Sequence, residues 1–230
     1  DITYTDGSLQ TVHYKVIKAE KDVVKDLGNF LTTTQWYENP NDLFGRSPSV
    51  ISYDYETKSH ITQEKRAWYA GLSDEAGAAS WLAAIMKQLL QPHPEEINKL
   101  KRFVNETMFG RIQHKEGKNK YGVVKSLFYY EPDSMPAGTY SEDINYKTWS
   151  AWPKKEADNI GRSYNYPHVA AAHWVLYKLS RNYNNLVTEE GWSNYLRRAY
   201  HTAIAMVEKA PYYAQFGQME GSVFLFILQD

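Results

Sequence analysis

A stretch with almost no polar face, residues 161–183 (GRSYNYPHVAAAHWVLYKLSRNY), constrains the fold more than any other part of the chain. From Val169 to Leu179 apolar side chains fill nearly every position, so a helix here has no stripe left for solvent. Pro167 suits its first turn, where the missing N–H removes no hydrogen bond. The stretch therefore predicts a core helix buried on all sides, with a polar entrance that could supply a site.

Two other segments share this character. Residues 81–90 are apolar nearly all round, and Ser73 is a predicted N-cap followed by two acids. Residues 223–228 form a third apolar run. Between them, residues 95–108 and 189–209 each carry one apolar stripe opposite a charged face, which is typical of outer helices. The chain is predicted to alternate buried, outer, buried, outer and buried helices.

This alternation predicts the fold class. Consecutive helices joined by a connection run antiparallel, so the three buried helices point the same way and their starts meet at one rim. Small residues at 77–79 and 170–172 would let the inner helices approach closely. We expect a mainly α fold, specifically a two-layer α/α toroid of the six-hairpin type or an arc of one. A full ring needs about twice as many helices.

The domain is predicted to be single, to cover residues 1–230 and to be incomplete at both ends. Residues 221–230 are an apolar run without a helix cap or a following loop, so we expect a segment beyond residue 230 to complete the ring. The helical part covers about 18–230. A small β-hairpin precedes it, because residues 2–16 alternate in the strand period around Asp6-Gly7.

Two long stretches lack a helical pattern. Residues 32–73 are irregular but rich in aromatic side chains. An insertion at about 110–160 contains a strand-like segment at 122–130, so it is predicted to contain β-structure and is a candidate lid or cleft wall. Long irregular connections in compact domains are usually functional or flexible.

Composition excludes several classes of function. The net charge of −1, with both signs interspersed, argues against nucleic acid and anionic membranes as partners. No apolar run is long enough to span a bilayer. Cysteine is absent, and His168 and His173 are five residues apart, which is off the usual helical ligand spacing, so no metal is predicted. Dinucleotide, phosphoryl-transfer and acyl-transfer motifs are also absent, and no cofactor is predicted.

The predicted rim gathers polar residues that are remote in sequence. Its members are Asp74, Glu75, Arg162, Tyr164, Asn165, Tyr166, His168, Gln218, Glu220 and Ser222. Two carboxylates over a cleft are the minimum equipment for cleaving a glycosidic bond. Inner helices packed about 8–10 Å apart would leave room for a water between such carboxylates. The catalytic candidates are therefore Glu75 or Asp74 with Glu220, together with His168.

Substrate-binding candidates come from the same entrance and from the aromatic residues. The chain has 19 Tyr and 7 Trp, and flat amphipathic rings can stack on sugar faces. The predicted set is Arg162, Tyr164, Asn165, Tyr166, Trp36 and Trp68.

Simpler interpretations stay open for each candidate. Asp74, Glu75 and Glu220 stand near helix starts, where the helix dipole alone favours acids. The histidines can be hydrogen-bonded core or rim residues. The aromatic residues can be core packing.

Four segments carry a family resemblance. LQTVHYKV, TQWYENPNDLFGRSPSVISYD, GLSDEAGAASWLAAIMKQ and RSYNYPHVAAAHWVLY resemble a family of large secreted microbial proteins without a settled function that is grouped with the six-hairpin glycosidases. The similarity runs through essentially the whole chain. It implies an α/α toroid, a carbohydrate substrate, an extracellular location and further residues beyond 230. It supplies no catalytic assignment, so the site candidates depend on the rim argument.

Three functions follow as hypotheses. The first is a glycoside hydrolase that uses the carboxylates as general acid and base. The second is a polysaccharide lyase in which Tyr164 or Tyr166 and His168 move protons while Asn165 and Arg162 neutralise a uronate carboxylate. The third is a non-catalytic scaffold or glycan-binding module, because fold alone does not fix function.

Overall fold

The computed structural model describes residues 1–216 and 219–230 and is mainly helical. In chain order its α-helices are α1 (Glu20–Thr33), α2 (Ala67–Ala70), α3 (Glu75–Leu90), α4 (Pro94–Arg102), α5 (Lys154–Ala157), α6 (Tyr166–Asn182), α7 (Trp192–Lys209), α8 (Pro211–Ala214) and α9 (Ser222–Gln229). A π-helical segment (Phe103–Met108) continues α4, and short 3₁₀ turns cover Pro132–Ser134 and Ser163–Asn165.

Helix α6 is the centre of the molecule. Every residue from Tyr166 to Tyr177 is buried, and Pro167 stands in the first turn. Helix α3 packs against one side of α6 and helices α7 and α9 against the other, while α1 and α4 pack against α3. Each large aliphatic side chain buried here stabilises the fold by about 1.5–3 kcal/mol. The prediction of a core helix buried on all sides is confirmed.

Helix α3 differs from its prediction in two ways. Its N-cap is Asp74, whose carboxylate accepts a hydrogen bond of 2.8 Å from the backbone N–H of Glu75, whereas the predicted cap, Ser73, donates its hydroxyl to the Val124 carbonyl. The helix is also not buried all round, because Ala79 and Ala83 are exposed. Packing against α6, α1 and α4 therefore leaves one strip of α3 uncovered within the described residues.

Gly77 of α3 has a different role from the one predicted. A Cβ atom at this position would collide with the carbonyl of Trp68 and would lie 2.7 Å from the backbone nitrogen of Leu72. The small residue therefore admits the short helix α2 and the turn after it, whereas the sequence pattern suggested close approach of another inner helix.

Glu96 of α4 is buried, although its helix was predicted to present it to solvent. Its carboxylate lies 2.7 Å from Nζ of Lys87 and accepts a second bond of 2.7 Å from the amide of Gln88. Lys87 and Glu96 are both almost fully covered. A charged side chain can take a core position when a partner on the facing helix turns inward to meet it.

Helix α9 is half covered rather than buried. Val223 and Ile227 face α6 and α7, but Leu225, Phe226 and Leu228 are exposed. The reason is geometric, since the helices that contact α9 within the described residues cover one of its sides. The prediction of a third fully buried helix is therefore wrong for this structure.

The strands form three two-stranded antiparallel hairpins. Strands β1 (Ile2–Thr3) and β2 (Leu9–Gln10) flank the Asp6-Gly7 turn, so the predicted N-terminal hairpin is confirmed. Strand β3 (Trp36–Tyr37) pairs with β4 (Ser49–Val50), and β5 (Tyr53–Asp54) pairs with β6 (Ser59–His60). These four strands lie in the stretch that was predicted to be irregular.

The insertion at 110–160 contains no strand ladder. Its backbone groups bond individually to other loops, as in the bonds from Leu127 N–H to the Gly71 carbonyl and from Tyr130 N–H to the Trp152 carbonyl. An isolated bridge joins Gln113 to Val123. The prediction of a β-containing insertion is therefore wrong, while the closed two-layer toroid remains a prediction.

Candidate active site at the converging helix starts

The starts of α3, α6 and α9 meet at one place. Arg162, just before α6, lies 2.5 Å through Nε from Oδ2 of Asp74 and 3.3 Å through a terminal nitrogen from Oε2 of Glu75. His168, in the first turn of α6, lies 3.6 Å through Nε2 from Oε2 of Glu220, which precedes α9. We call Asp74, Glu75, Arg162, Tyr164, His168 and Glu220 the polar mouth.

Arg162 is the hub of the polar mouth. The Asp74 side chain is 6% exposed and that of Arg162 is 25% exposed, so their ion pair is poorly screened by water. Nε lies close to Asp74 but off the N–H direction, which makes the contact an ion pair rather than an aligned hydrogen bond. The guanidinium also lies 5.2 Å from the ring of Tyr164, which contacts the ring of Tyr213 at 5.7 Å.

His168 is held in its neutral form. Burial lowers its pKa below the usual 6.5, and this effect outweighs the opposing influences of Glu220, the Ser73 backbone and Glu75. A neutral imidazole can accept a proton at neutral pH. The side chain of its neighbour Glu220 is 45% exposed, so this carboxylate lies on the solvent side of the buried imidazole.

Carboxylates outnumber cations in the polar mouth. Asp74, Glu75 and Glu220 face the single guanidinium of Arg162, while His168 is neutral. The mouth therefore carries a surplus of negative charge. Proton-transfer chemistry between a carboxylate and an imidazole fits this arrangement.

Two predicted substrate contacts are buried instead. The amide of Asn165 donates to the carbonyl of Val124 at 3.3 Å and to the hydroxyl of Ser73 at 3.4 Å. The hydroxyl of Tyr166 donates to the carbonyl of Ile160 at 2.7 Å, and burial raises the pKa of this phenol to about 12. Both side chains are fully covered and tie loop backbone to the start of α6.

Trp36 and Trp68 do not contact the polar mouth. Trp36 donates its indole N–H to Glu38 at 2.9 Å and stands beside Lys99 and Arg102. Trp68 stacks between Trp149 and Trp152, with ring centroids 5.6 Å and 5.0 Å away.

Other predicted residues have simpler positions. His173 is fully buried and its Nε2 lies 2.8 Å from the side-chain oxygen of Gln113, so it is a hydrogen-bonded core histidine. Gln218 lies outside the described residues. Within residues 1–216 and 219–230, no group of three His, Asp or Glu side chains is arranged to hold a metal ion, and no helix is long and apolar enough to cross a membrane.

Sequence reasoning missed Tyr213 at the polar mouth and Trp149 beside Trp68. Tyr213 comes from α8 and contacts Tyr164, and Trp149 lies exposed against Trp68. Both stand in segments without periodicity, where the pattern predicts neither the burial nor the contacts of a side chain.

The sequence matches the family of unknown function DUF5695 over residues 1–230. The chain belongs to DUF5695. No curated protein matches the sequence. A family of unknown function agrees with the resemblance noted above, while the relation of DUF5695 to the six-hairpin glycosidases stays a prediction.

A solved structure of a polysaccharide lyase is similar to this DUF5695 chain. The TM-score is 0.57 and the sequence identity is 19%, and the match covers 93% of the DUF5695 chain and 25% of the lyase chain. The DUF5695 chain thus spans about a quarter of the length of that lyase. The likeness shows a shared fold.

Proposed function

We propose that this DUF5695 chain carries the acid/base site of a carbohydrate-active enzyme, and that the enzyme is a polysaccharide lyase. The observation that supports this most is the contact of 3.6 Å between the imidazole of His168 and the carboxylate of Glu220. A lyase must remove the proton next to a sugar carboxylate and protonate the leaving glycosidic oxygen. A neutral imidazole beside an acid is suited to the first step.

The residues of the polar mouth take distinct roles in this proposal. His168 accepts the proton, and Glu220 stabilises the imidazolium that forms. Tyr164, which is partly exposed, donates a proton to the leaving oxygen, and Arg162 beside it orients the sugar carboxylate. Asn165 and Tyr166 fix the position of the loop that carries them, because the amide nitrogen of Asn165 and the hydroxyl of Tyr166 donate to backbone carbonyls.

The fold adds support to this choice of reaction. The solved structure that shares the fold is a polysaccharide lyase. Since one fold can host several chemistries, the residues of the polar mouth and not the likeness must carry the assignment.

A glycoside hydrolase is the second candidate, because the polar mouth is acidic. Glu75 and Glu220 could act as the carboxylate pair of a hydrolase. Arg162 already faces Asp74 and Glu75, so less of its charge is available to a uronate carboxylate. An acidic site suits a neutral glycan better than a polyanionic one.

The architecture and location belong to the same proposal. We propose that further helices complete a two-layer toroid and that the enzyme acts outside the cell. The exposed apolar side chains of Leu225, Phe226 and Leu228 on α9 support the first point, since a neighbouring helix would cover them. An experimental structure of a longer protein, and fractionation of a culture of its host, would test the two points.

One assay separates the candidates. The whole protein is incubated with a panel of neutral polysaccharides and polyuronates, and products are followed by ultraviolet absorbance and by reducing ends. A lyase forms an unsaturated product that absorbs, and hydrolysis forms reducing ends alone. Tyr164→Phe should silence a lyase and Glu75→Gln a hydrolase, while Tyr200→Phe, on the exposed face of α7, is the matched control that keeps activity. Absence of both products across the panel would contradict both candidates.

A further inference from the structure

Trp149 is the most exposed indole among the described residues. Trp149 is 83% exposed, against 45% for Trp192, the next most exposed. Single exposed apolar residues are common on protein surfaces. The setting of Trp149 is what makes it informative, because the surrounding structure fixes the indole in the exposed position.

A buried anchor holds the turn that carries Trp149. The hydroxyl of the next residue, Ser150, donates to the Lys65 carbonyl at 3.1 Å, and the Ser150 carbonyl accepts a bond of 3.0 Å from the Ala67 N–H. Ser150 is itself buried. The exposed ring therefore projects from a fixed turn rather than from a loose loop.

The indoles of Trp68 and Trp152 lie behind the exposed indole of Trp149. The Trp68 ring lies 5.6 Å from that of Trp149 at an interplanar angle of 33°, and Trp152 lies 5.0 Å beyond. Trp152 is buried and Lys125 Nζ stands 3.9 Å from its ring centre. The three rings form a series that runs from the interior to a flat exposed face.

The backbone of Trp68 packs against the start of α3. Trp68 belongs to α2, whose carbonyl at this residue packs against Gly77 in the first turn of α3. Glu75, two positions earlier on the same turn, contacts Arg162. The aromatic series and the polar mouth are thus connected through the first turn of α3.

We propose that Trp149, supported by Trp68, is a sugar-binding subsite that stacks on a pyranose ring of the glycan chain. This inference rests on the proposed function, since it takes the glycan cleaved at the polar mouth as the ligand. Stacking uses the flat amphipathic face of an indole, and ring hydroxyls can bond to polar neighbours. Lys147 and Thr148, which precede Trp149 in sequence, and Lys65, whose carbonyl is bonded by Ser150, carry such polar groups.

The surroundings favour a sugar over a protein partner. Protein interfaces need a contiguous apolar patch. Lys147 stands two positions before Trp149, and the Lys65 carbonyl accepts a bond from Ser150, so exposed charged residues flank the turn that carries Trp149. The face of one indole is similar in area to the face of one sugar ring.

The test measures binding separately from turnover. The whole protein is titrated with oligosaccharides of a β-glucan, a xylan and a polyuronate, and affinity is followed by calorimetry together with protection of tryptophan fluorescence from iodide. Trp149→Ala should weaken binding by about tenfold or more, and Trp149→Tyr should restore part of it. Trp192→Ala is the matched control, because Trp192 is exposed at the opposite end of α6, beside Tyr177.

The outcomes separate this inference from the proposed function. Weakened binding in Trp149→Ala supports the subsite, whether or not any product forms. Cleavage with unchanged affinity in Trp149→Ala would overturn the subsite and leave the function intact. No binding of any oligosaccharide by the unaltered protein, or equal loss in Trp192→Ala, would also overturn the subsite.

Discussion

The carboxylate of Glu220 lies 3.6 Å from Nε2 of His168, so a half-exposed acid covers a buried neutral imidazole. Glu220 raises the pKa of His168, although burial keeps it below 6.5. If His168 is the base, activity falls as the pH drops through this pKa, because the protonated ring accepts no proton. Glu220→Gln removes the raising influence, so the acidic limb of kcat/KM should move to lower pH.

Substitution of His168 itself measures how much this base contributes to the rate. His168→Gln should lower kcat by about 10²–10⁴-fold, the usual contribution of a general base. Glu208→Gln on the outer face of α7 is a control that should change neither the rate nor the pH profile. An acidic limb that stays in place in Glu220→Gln would show that His168 is not the group that titrates.

The second prediction concerns the ion pair between Arg162 and Asp74. Arg162→Gln leaves the buried carboxylate of Asp74 without its cation and should lower the free energy of unfolding by about 1–3 kcal/mol. Adding Asp74→Asn removes the unpaired charge but keeps an N-cap acceptor, so the double variant should be more stable than Arg162→Gln alone. Urea unfolding measures both.

A surface ion pair provides the control for these substitutions. Lys154 and Asp158 form an ion pair in which both side chains are about half exposed, so Lys154→Gln should leave the unfolding midpoint unchanged. If the double variant is no more stable than Arg162→Gln, then the charge of Asp74 is not what the guanidinium compensates.

The third prediction concerns Gly77. Alanine is a better helix former than glycine by about 1 kcal/mol, yet Gly77→Ala should destabilise the protein by about 1–3 kcal/mol. The added Cβ would collide with the backbone of Trp68 and Leu72, which cannot move as a side chain can. Thermal unfolding of Gly77→Ala should therefore occur at a lower temperature than that of the unaltered protein.

Gly191→Ala is the matched control for this substitution. A Cβ at Gly191 meets nothing nearer than the Ser193 hydroxyl at 3.9 Å, and the expected change is within about 0.5 kcal/mol. A Gly77→Ala variant that unfolds at or above the temperature of the unaltered protein would mean that α2 can shift away from α3.

Some features of the fold could be predicted from the sequence. An unbroken apolar run predicted the burial of α6, because no arrangement of that helix leaves a polar stripe for solvent. The shared direction of the buried helices predicted that Glu75, His168 and Glu220 lie at one mouth. Their catalytic roles remain predictions.

Other features depend on contacts that sequence patterns do not encode. Glu96 is buried only because Lys87 on the facing helix turns toward it. Asn165 and Tyr166 were candidates for substrate contacts, but the amide nitrogen of Asn165 donates to the Val124 carbonyl and the hydroxyl of Tyr166 to the Ile160 carbonyl. A polar side chain that donates a hydrogen bond to a backbone carbonyl has the same sequence pattern as one that binds a ligand.

The last prediction concerns pH and the buried His173. Burial lowers its pKa well below 6.5, and the nearby positive charge of Arg198 acts in the same direction. In the unfolded chain the ring takes up a proton as the pH falls through about 6.5, whereas the folded protein keeps it neutral. The unfolded state therefore binds more protons below that pH, and stability should fall by about 1.4 kcal/mol per pH unit from this residue.

Substitution isolates this contribution. In His173→Gln the loss of stability that comes from protonation of the unfolded chain at this residue disappears. The difference in free energy of unfolding between the unaltered protein and the variant should therefore shrink as the pH falls from 7 to 5. His13→Gln, on the exposed N-terminal segment, should give a curve parallel to that of the unaltered protein. Urea unfolding at a series of pH values measures all three. A constant difference for His173→Gln would show that the buried imidazole takes up its proton equally in both states, which its full burial beside Arg198 argues against.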